Sequence, residues 1–286
     1  MIEIARTGTG AAIGVIAGSR LRGSAALRFA RCGDRTVLLR SRVEAPMAIV
    51  RPFNLPDGRL AVQLVTLGPG LCGGDSIEVD VVVEERAQVL LTTTAATRVM
   101  AMDPGQQAEQ HIRVQAAAGA SFEYYPALTI PSPGAALTQV LAVDAAPTAR
   151  IGVVEPWALG RAARGEYLRF RSLSSRTTLS VDGALVYADV LRLEPAAADL
   201  ANAGVLDKGR YLAAGFFSCV DGIADTGPAA IAQGANVALG QSRPGLAYFR
   251  AIAADAPALG AAIQASIERV AKVWGRPAAR LDRFRC

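Results

Sequence analysis

Four carboxylates in the sequence lie next to segments rich in glycine, hydroxyl or aromatic residues. They are Asp75, Glu123, Glu155 and Glu166. Two carboxylates about 5 to 10 Å apart are the usual machinery for hydrolysing a glycosidic bond. Carboxylate, carbonyl and hydroxyl oxygens also hold divalent cations weakly, which suits a polar passage better than storage. Each acid could instead form an ion pair with one of the many arginines. The residue types alone leave these three possibilities open.

The segment from residue 67 to residue 99 joins a glycine-rich turn, a strand and a hydroxyl-rich loop. The turn ends at Asp75, and the strand ends at Thr92 and Thr93. The spacing does not match the GxxxxGK[ST] pattern of a phosphate-binding loop. We therefore take these three residues as candidates for lining a passage or binding a partner. Cys72 and Asp75 are weak candidates for metal ligands, since a lone cysteine is more often a small core residue.

A second glycine-bounded loop, residues 160–166, contains Arg161 and Glu166. These residues could form an internal lock between guanidinium and carboxylate, or a docking surface for an acidic partner. Both residues are candidates for partner binding, together with Glu155, which precedes the loop.

The composition excludes several classes of protein. The 286 residues carry a net charge of +5, but the basic residues are scattered and aromatics make up 6%, which argues against nucleic-acid binding. His111 is the only histidine and the 4 cysteines form no CxxC pair, so an imidazole-based metalloenzyme and a zinc ribbon are excluded. No apolar run is long enough to span a membrane, and the N-terminus lacks the order of a signal peptide. We therefore expect a cytoplasmic protein.

Alternating apolar residues predict many short strands in the first two thirds of the chain. The predicted strands cover residues 26–29, 36–42, 60–67, 76–83, 88–93, 110–115, 121–125, 137–143, 150–154, 167–173, 177–181 and 184–193. Three of them, preceded by Ala87, Ala120 and Ala149, align without gaps at a spacing of about 30 residues, which is typical of stacked units. We therefore predict a mainly β fold, a β-helix or solenoid of stacked strands. The loops that follow the three aligned strands should lie along one edge.

The C-terminal third predicts a small helical part within a single β-rich domain of residues 1–286. We predict two helices between residues 195 and 275, a short one over residues 195–203 and a longer one capped by Asp255. The longer helix has an apolar face that should pack on the β body. The arginine-rich tail from Arg276 onwards is expected to be mobile.

Taken together, the loop segments resemble the urease accessory protein D family, also called UreD or UreH. Four motifs in order carry the resemblance: Gly73-Gly74-Asp75; Leu91-Thr92-Thr93-Thr94-Ala95-Ala96-Thr97-Arg98-Val99; Thr129-Ile130-Pro131 with Gly134-Ala135; and Gly160-Arg161 with Arg164-Gly165-Glu166. Order and spacing agree from about residue 65 to about residue 195. The chain departs from the family at Arg98-Val99-Met100, where the family has Lys-Val-Tyr. It also departs at residues 126–132, which lack an acid and an aromatic residue.

The resemblance implies a noncatalytic scaffold for urease maturation. Such a protein is β-helical, binds the urease apoprotein, and recruits the accessory F protein and, through it, the accessory G GTPase. Nickel would pass in transit through an internal polar passage, with no tightly bound cofactor, and neither nucleic acid nor a membrane would be a partner. The competing hypothesis is a carbohydrate-active β-solenoid enzyme that uses a close pair of carboxylates.

Overall fold

The computed structural model describes residues 20–202, 204–223 and 234–283. Its strands are, in chain order, β1 (Arg22–Cys32), β2 (Arg35–Glu44), β3 (Met47–Ile49), β4 (Phe53–Asn54), β5 (Leu60–Thr66), β6 (Ser76–Val83), β7 (Gln88–Thr93), β8 (Thr97–Val99), β9 (Ala108–Ala116), β10 (Ser121–Tyr124), β11 (Thr129–Pro131), β12 (Ala136–Ala145), β13 (Arg150–Ala158), β14 (Ser172–Val181), β15 (Ala184–Leu193), β16 (Tyr211–Ser218), β17 (Ala235–Arg243) and β18 (Leu246–Ala253). The helical elements are α1 (Ala256–Val273) and two single 3₁₀ turns, Ala162–Arg164 and Leu281–Arg283.

The strands form two sheets that face each other. Sheet A has the order β15-β14-β12-β9-β6-β1-β2, and sheet B has the order β17-β18-β16-β13-β10-β7-β5-β3. From β6 to β14 the long strands alternate between the two sheets, and neighbouring strands within each sheet run parallel. This path is that of a two-sided β-solenoid, so the predicted fold class is confirmed.

The gapless sequence repeat has a direct structural cause. Its three strands, β7, β10 and β13, are neighbours in sheet B, and Ser121 pairs in register with both Gln88 and Arg150. Since parallel strands in register place equivalent residues side by side, the three segments share one pattern of burial. The loops after these strands also lie side by side, because β11 pairs with both β8 and β13. The expected common loop edge is therefore present.

The core between the sheets consists of the inward-facing apolar residues of both sheets. Val79 and Val114 of sheet A, together with Val89, Phe122 and Ile151 of sheet B, are almost completely buried there. Side chains alternate along a strand, so every second residue of β7, β10 and β13 points to the opposite, outer face of sheet B.

Helix α1 covers this outer face of sheet B. It begins as predicted at Asp255, whose carboxylate accepts a hydrogen bond from the backbone N–H of Ala258 at 2.8 Å. Leu259, Ile263 and Ile267 lie on its buried side and pack with residues of β16, β17 and β18. The prediction that this face packs on the β body is confirmed. Among the described residues, no helix is long and apolar enough to cross a membrane.

Other predictions for the C-terminal third are wrong. Residues 195–202 form turns instead of a helix, because the bond from the Ala198 N–H to the Glu194 oxygen is not repeated along the segment. The strands β16, β17 and β18 were not predicted; β16 is buried on both faces and so lacks alternation. The tail is not loose in its described part, since Ala279 and Leu281 are buried against the body.

Candidate functional site

The glycine-rich turn and the hydroxyl-rich loop form two walls of one cleft at the loop edge. The cleft has a volume of about 390 Å³, and its lining includes residues 68–71 and 93–98. The Leu71 N–H donates to the Arg98 carbonyl at 2.8 Å, which ties the walls together at the base. Gly70 permits this approach, because a Cβ there would lie 2.5 Å from the Arg98 oxygen. The sequence motif therefore builds a cleft, with backbone contacts fixing its shape.

Asp75 fixes the turn that leads into the cleft. Its carboxylate accepts backbone hydrogen bonds from Leu21 at 2.9 Å and from Cys72 at 2.8 Å, and the residue is buried. Partial burial and the nearby Asp75 charge both raise the pKa of the Cys72 thiol. A raised pKa disfavours the thiolate that would bind a metal. Within the described ranges, no group of three or more histidine, cysteine, aspartate or glutamate side chains could hold a metal ion.

Thr92 and Thr93 join the loops of successive repeats. The Thr92 hydroxyl donates to the Tyr125 carbonyl at 2.6 Å. The Thr93 hydroxyl donates to the Ala95 carbonyl at 3.0 Å and accepts from the Ala127 N–H at 2.9 Å. Both hydroxyls therefore use their hydrogen bonds on backbone groups that set the position of the loop edge.

Arg161 and Glu166 form a two-pronged ion pair within their own loop. Arg161 Nε donates to Glu166 Oε2 at 2.5 Å, and Nη2 donates to Oε1 at 2.9 Å. Gly160 allows this closure, because a Cβ there would overlap the Glu166 carbonyl oxygen. The Arg161 side chain is 36% exposed and that of Glu166 is 17% exposed. A protein partner could therefore contact only part of this ion pair, whose two charges already neutralise each other.

Glu155 differs from the other candidates because it lies between the two sheets. Its carboxylate accepts hydrogen bonds from two residues of sheet A, the Gln139 amide and the Thr177 hydroxyl. Burial raises the pKa of Glu155 to about 7; the Thr177 hydrogen bond opposes this, and the charge of Asp189 adds to it. Both hydrogen-bond donors are neutral. A pKa near 7 means that neutral and ionised forms of this buried carboxyl group are close in free energy at neutral pH.

Glu123 lies on the other side of sheet B. It pairs in register with Gly152, three positions before Glu155, so the two side chains point to opposite faces. Glu123 contacts the guanidinium of Arg59 at 2.6 Å and that of Arg276 at 3.0 Å. The four sequence-predicted acids thus have four separate surroundings. The carbohydrate-active hypothesis requires two acids that face one site, whereas Glu123 and Glu155 face opposite sides of sheet B and Asp75 and Glu166 are bound within their own loops.

Several polar residues around Glu155 were missed in the sequence. Gln139 and Thr177 point inward from β12 and β14, and Asp189 stands opposite Thr177 on β15. Each occupies an inward position of an alternating strand whose other inward positions are mostly apolar. A polar residue at such a position was the available signal, because a buried polar group needs a partner.

The fold and this site together define a two-sided β-solenoid with a loop-edge cleft and a polar cluster around Glu155 between its sheets. The family model described as "UreD urease accessory protein" matches residues 21–285. The chain therefore belongs to the UreD urease accessory protein family.

Curated relatives support the same assignment over most of the chain. The urease accessory protein UreD of Deinococcus radiodurans is 35% identical over 256 residues, which are 88% of this chain and 91% of the relative. The urease accessory protein UreD 1 of Synechococcus sp. (strain JA-3-3Ab) is 38% identical over 194 residues, 67% of this chain and 72% of the relative. That of Herpetosiphon aurantiacus is 32% identical over 197 residues, 69% of each chain. The family resemblance carried by the four motifs is confirmed.

Proposed function

We propose that this chain is a cytoplasmic, noncatalytic scaffold for urease assembly. It binds the urease apoprotein and the accessory F protein, brings in the accessory G GTPase through F, and helps deliver nickel to the urease active site. The observation that carries this proposal is Glu155, a buried carboxylate with only neutral hydrogen-bond donors, in a chain of the UreD family. Such a carboxylate could bind a cation inside the protein through its negative charge, with few other ligands.

The surroundings of Glu155 favour transit over storage. One carboxylate, one hydroxyl and one amide supply oxygen ligands, which bind a borderline cation such as nickel weakly. A proton also competes for the carboxylate near neutral pH, because burial raises its pKa to about 7. Nickel would therefore bind and leave readily, with no tightly held cofactor.

The remaining candidates have a different place in the proposal. Asp75, Thr92 and Thr93 fix the cleft by hydrogen bonds to backbone groups, and Arg161 with Glu166 fixes the loop beside it. Rigid loops on a β scaffold are suited to protein recognition. We assign the loop edge to partner binding and the interior around Glu155 to the cation.

The experiment compares Glu155→Gln with wild type in cells that express urease and all other accessory proteins. The amide keeps the shape and removes the charge, so urease should be made at the normal level with less nickel, and pull-down of urease subunits should be unchanged. Glu109→Gln is the matched control, because Glu109 lies on β9 with a side chain 43% exposed. Normal nickel loading by Glu155→Gln would remove Glu155 from the passage.

A further inference from the structure

One side of the space between the sheets is bounded by an ion pair. β15 is the last strand of sheet A, whereas sheet B continues past β13 through β16, β18 and β17. Asp189 of β15 and Arg250 of β18 contact each other across this side. The Asp189 side chain is 12% exposed and that of Arg250 is 47% exposed. The pair thus stands between solvent and the interior.

A continuous line of polar groups connects this pair with Glu155. Asp189 lies directly opposite Thr177 in the antiparallel ladder of β14 and β15, so the two side chains share the inner face. The Thr177 hydroxyl donates to Glu155 Oε2 at 2.5 Å. On sheet B, Ala214 pairs with both Glu155 and Arg250, which puts these two residues on the same face.

The neighbouring titratable side chains supply no charge that would neutralise Glu155. Tyr187 of β15 and Tyr124 of β10 border the same space, and burial raises the pKa of both phenols, so both stay neutral. The Tyr187 hydroxyl donates to the Gly215 carbonyl at 3.2 Å. Arg250 is a cation at the outer end of this line, where it is held by the Asp189 carboxylate and also interacts with the Tyr187 hydroxyl.

We propose that the Asp189–Arg250 pair is a gate, and that a divalent cation enters by taking the place of the Arg250 guanidinium on the Asp189 carboxylate. Oxygen atoms of Asp189, Thr177 and Glu155 then serve as successive ligands for the cation, and the two carboxylates balance its charge. Arg250 can leave because its side chain is long and half exposed, whereas Asp189 is held near the interior. This inference rests on the proposed function for the identity of the cation as nickel.

The test measures nickel binding to the purified full chain at pH 7.5, in competition with a chromophoric chelator. Arg250→Gln removes the competing guanidinium, so nickel should bind at least about fivefold more tightly, the lower end of typical coupling between sites. Asp189→Asn should bind at least about fivefold more weakly for the loss of the first ligand. Arg192→Gln is the matched control, because Arg192 is an exposed member of an ion pair with Glu194 near the end of β15, and it should bind like wild type.

A double variant protects the test against misfolding. If Asp189→Asn fails to fold in a thermal melt, Arg250→Gln is compared with Arg250→Gln/Glu155→Gln. If the double variant binds nickel no more tightly than wild type, the result supports a cation path that ends at Glu155. If the double variant still binds nickel more tightly than wild type, that path is wrong. Equal nickel affinity in wild type and Arg250→Gln also overturns the gate.

The gate and the proposed function can fail separately. If the variants behave as expected but urease receives its full nickel in cells without this chain, the proposed function is wrong and the gate stands. If urease lacks nickel in those cells but Arg250→Gln changes neither affinity nor loading, the gate is wrong and the proposed function stands.

Discussion

Burial of a single carboxylate, that of Glu155, predicts that the stability of this protein depends on pH. The pKa of Glu155 is raised from 4.5 to about 7, chiefly by desolvation. The folded protein thus keeps a proton that the unfolded chain has already released in this range. Because the native state binds more protons at this group, the contribution of Glu155 to the free energy of unfolding should fall as the pH rises from about 4.5 to about 7 and be constant above that.

Glu155→Gln should remove this pH dependence. The wild type should lose up to roughly 3 kcal/mol of stability between pH 5 and pH 8 relative to the variant, since each tenfold difference in proton affinity between the folded and unfolded states corresponds to about 1.4 kcal/mol. Urea unfolding of the metal-free proteins at both pH values measures the difference. Parallel pH profiles for the two proteins would show that Glu155 is not the buried acid that titrates.

Replacing Asp75 is expected to lower the stability of the protein and to leave its nickel affinity unchanged. Asp75→Ala leaves the backbone N–H groups of Leu21 and Cys72 without their acceptor, which should cost roughly 1 to 3 kcal/mol in unfolding experiments. Nickel affinity of the folded variant should stay at the wild-type value. Asp80→Ala is the control, because Asp80 lies on β6 with a side chain 49% exposed. Unchanged stability with weaker nickel binding would instead make Asp75 a ligand of the passage.

The segment after α1, residues 274–283, packs on the outer face of sheet B and is held there by its own side-chain contacts. The Arg276 guanidinium stacks 4.3 Å over the Trp274 ring, and its Nη1 donates to the Ser121 hydroxyl at 2.5 Å. Arg59 Nη2 donates to the Pro277 carbonyl at 3.0 Å. Glu123 lies between the two guanidinium groups, so one carboxylate connects the solenoid with its C-terminal segment.

Glu123→Ala should therefore be strongly destabilising. Arg59 keeps its ion pair with Asp57 at 2.6 Å, but the buried Arg276 guanidinium loses the carboxylate of Glu123, which should cost roughly 3 to 5 kcal/mol in urea unfolding. Glu109→Ala, at an exposed position, should change stability by less than about 0.5 kcal/mol. A loss for Glu123→Ala no larger than that control would mean that the ion pairs of Glu123 do not hold the C-terminal segment on the solenoid.

Local patterns predicted some of these elements well and others not at all. β6, β7 and β15 were predicted with their ends, because each alternates clearly or has a turn at its boundary. The predicted strand over residues 177–181 lies within β14, but the one over residues 167–173 is wrong for residues 167–171, which form turns and bends before β14 begins at Ser172. The repeat correctly placed the loops along one edge. It could not place Asp189 beside Glu155, because that approach depends on how the two sheets face each other.

At the scale of the whole molecule, the separation of loop edge and interior predicts weak nickel binding by the isolated chain. Glu155 offers a single carboxylate whose two hydrogen-bond donors are neutral, and Arg250 competes with a cation for Asp189. Calorimetry should show affinity no better than micromolar, about −8 kcal/mol. A stoichiometric nanomolar site would contradict transit and would indicate a ligand set shared between chains.

The nickel content of urease in cells without this chain tests the central claim most directly. Urease should be purified from a strain that lacks the gene and any second copy, and from the same strain complemented with the wild-type chain, and its metal measured by mass spectrometry. The scaffold role predicts urease protein at a normal level but with little nickel and little activity in the deletion strain, and restoration of both by complementation. Urease with its full nickel content in the deletion strain would contradict the account.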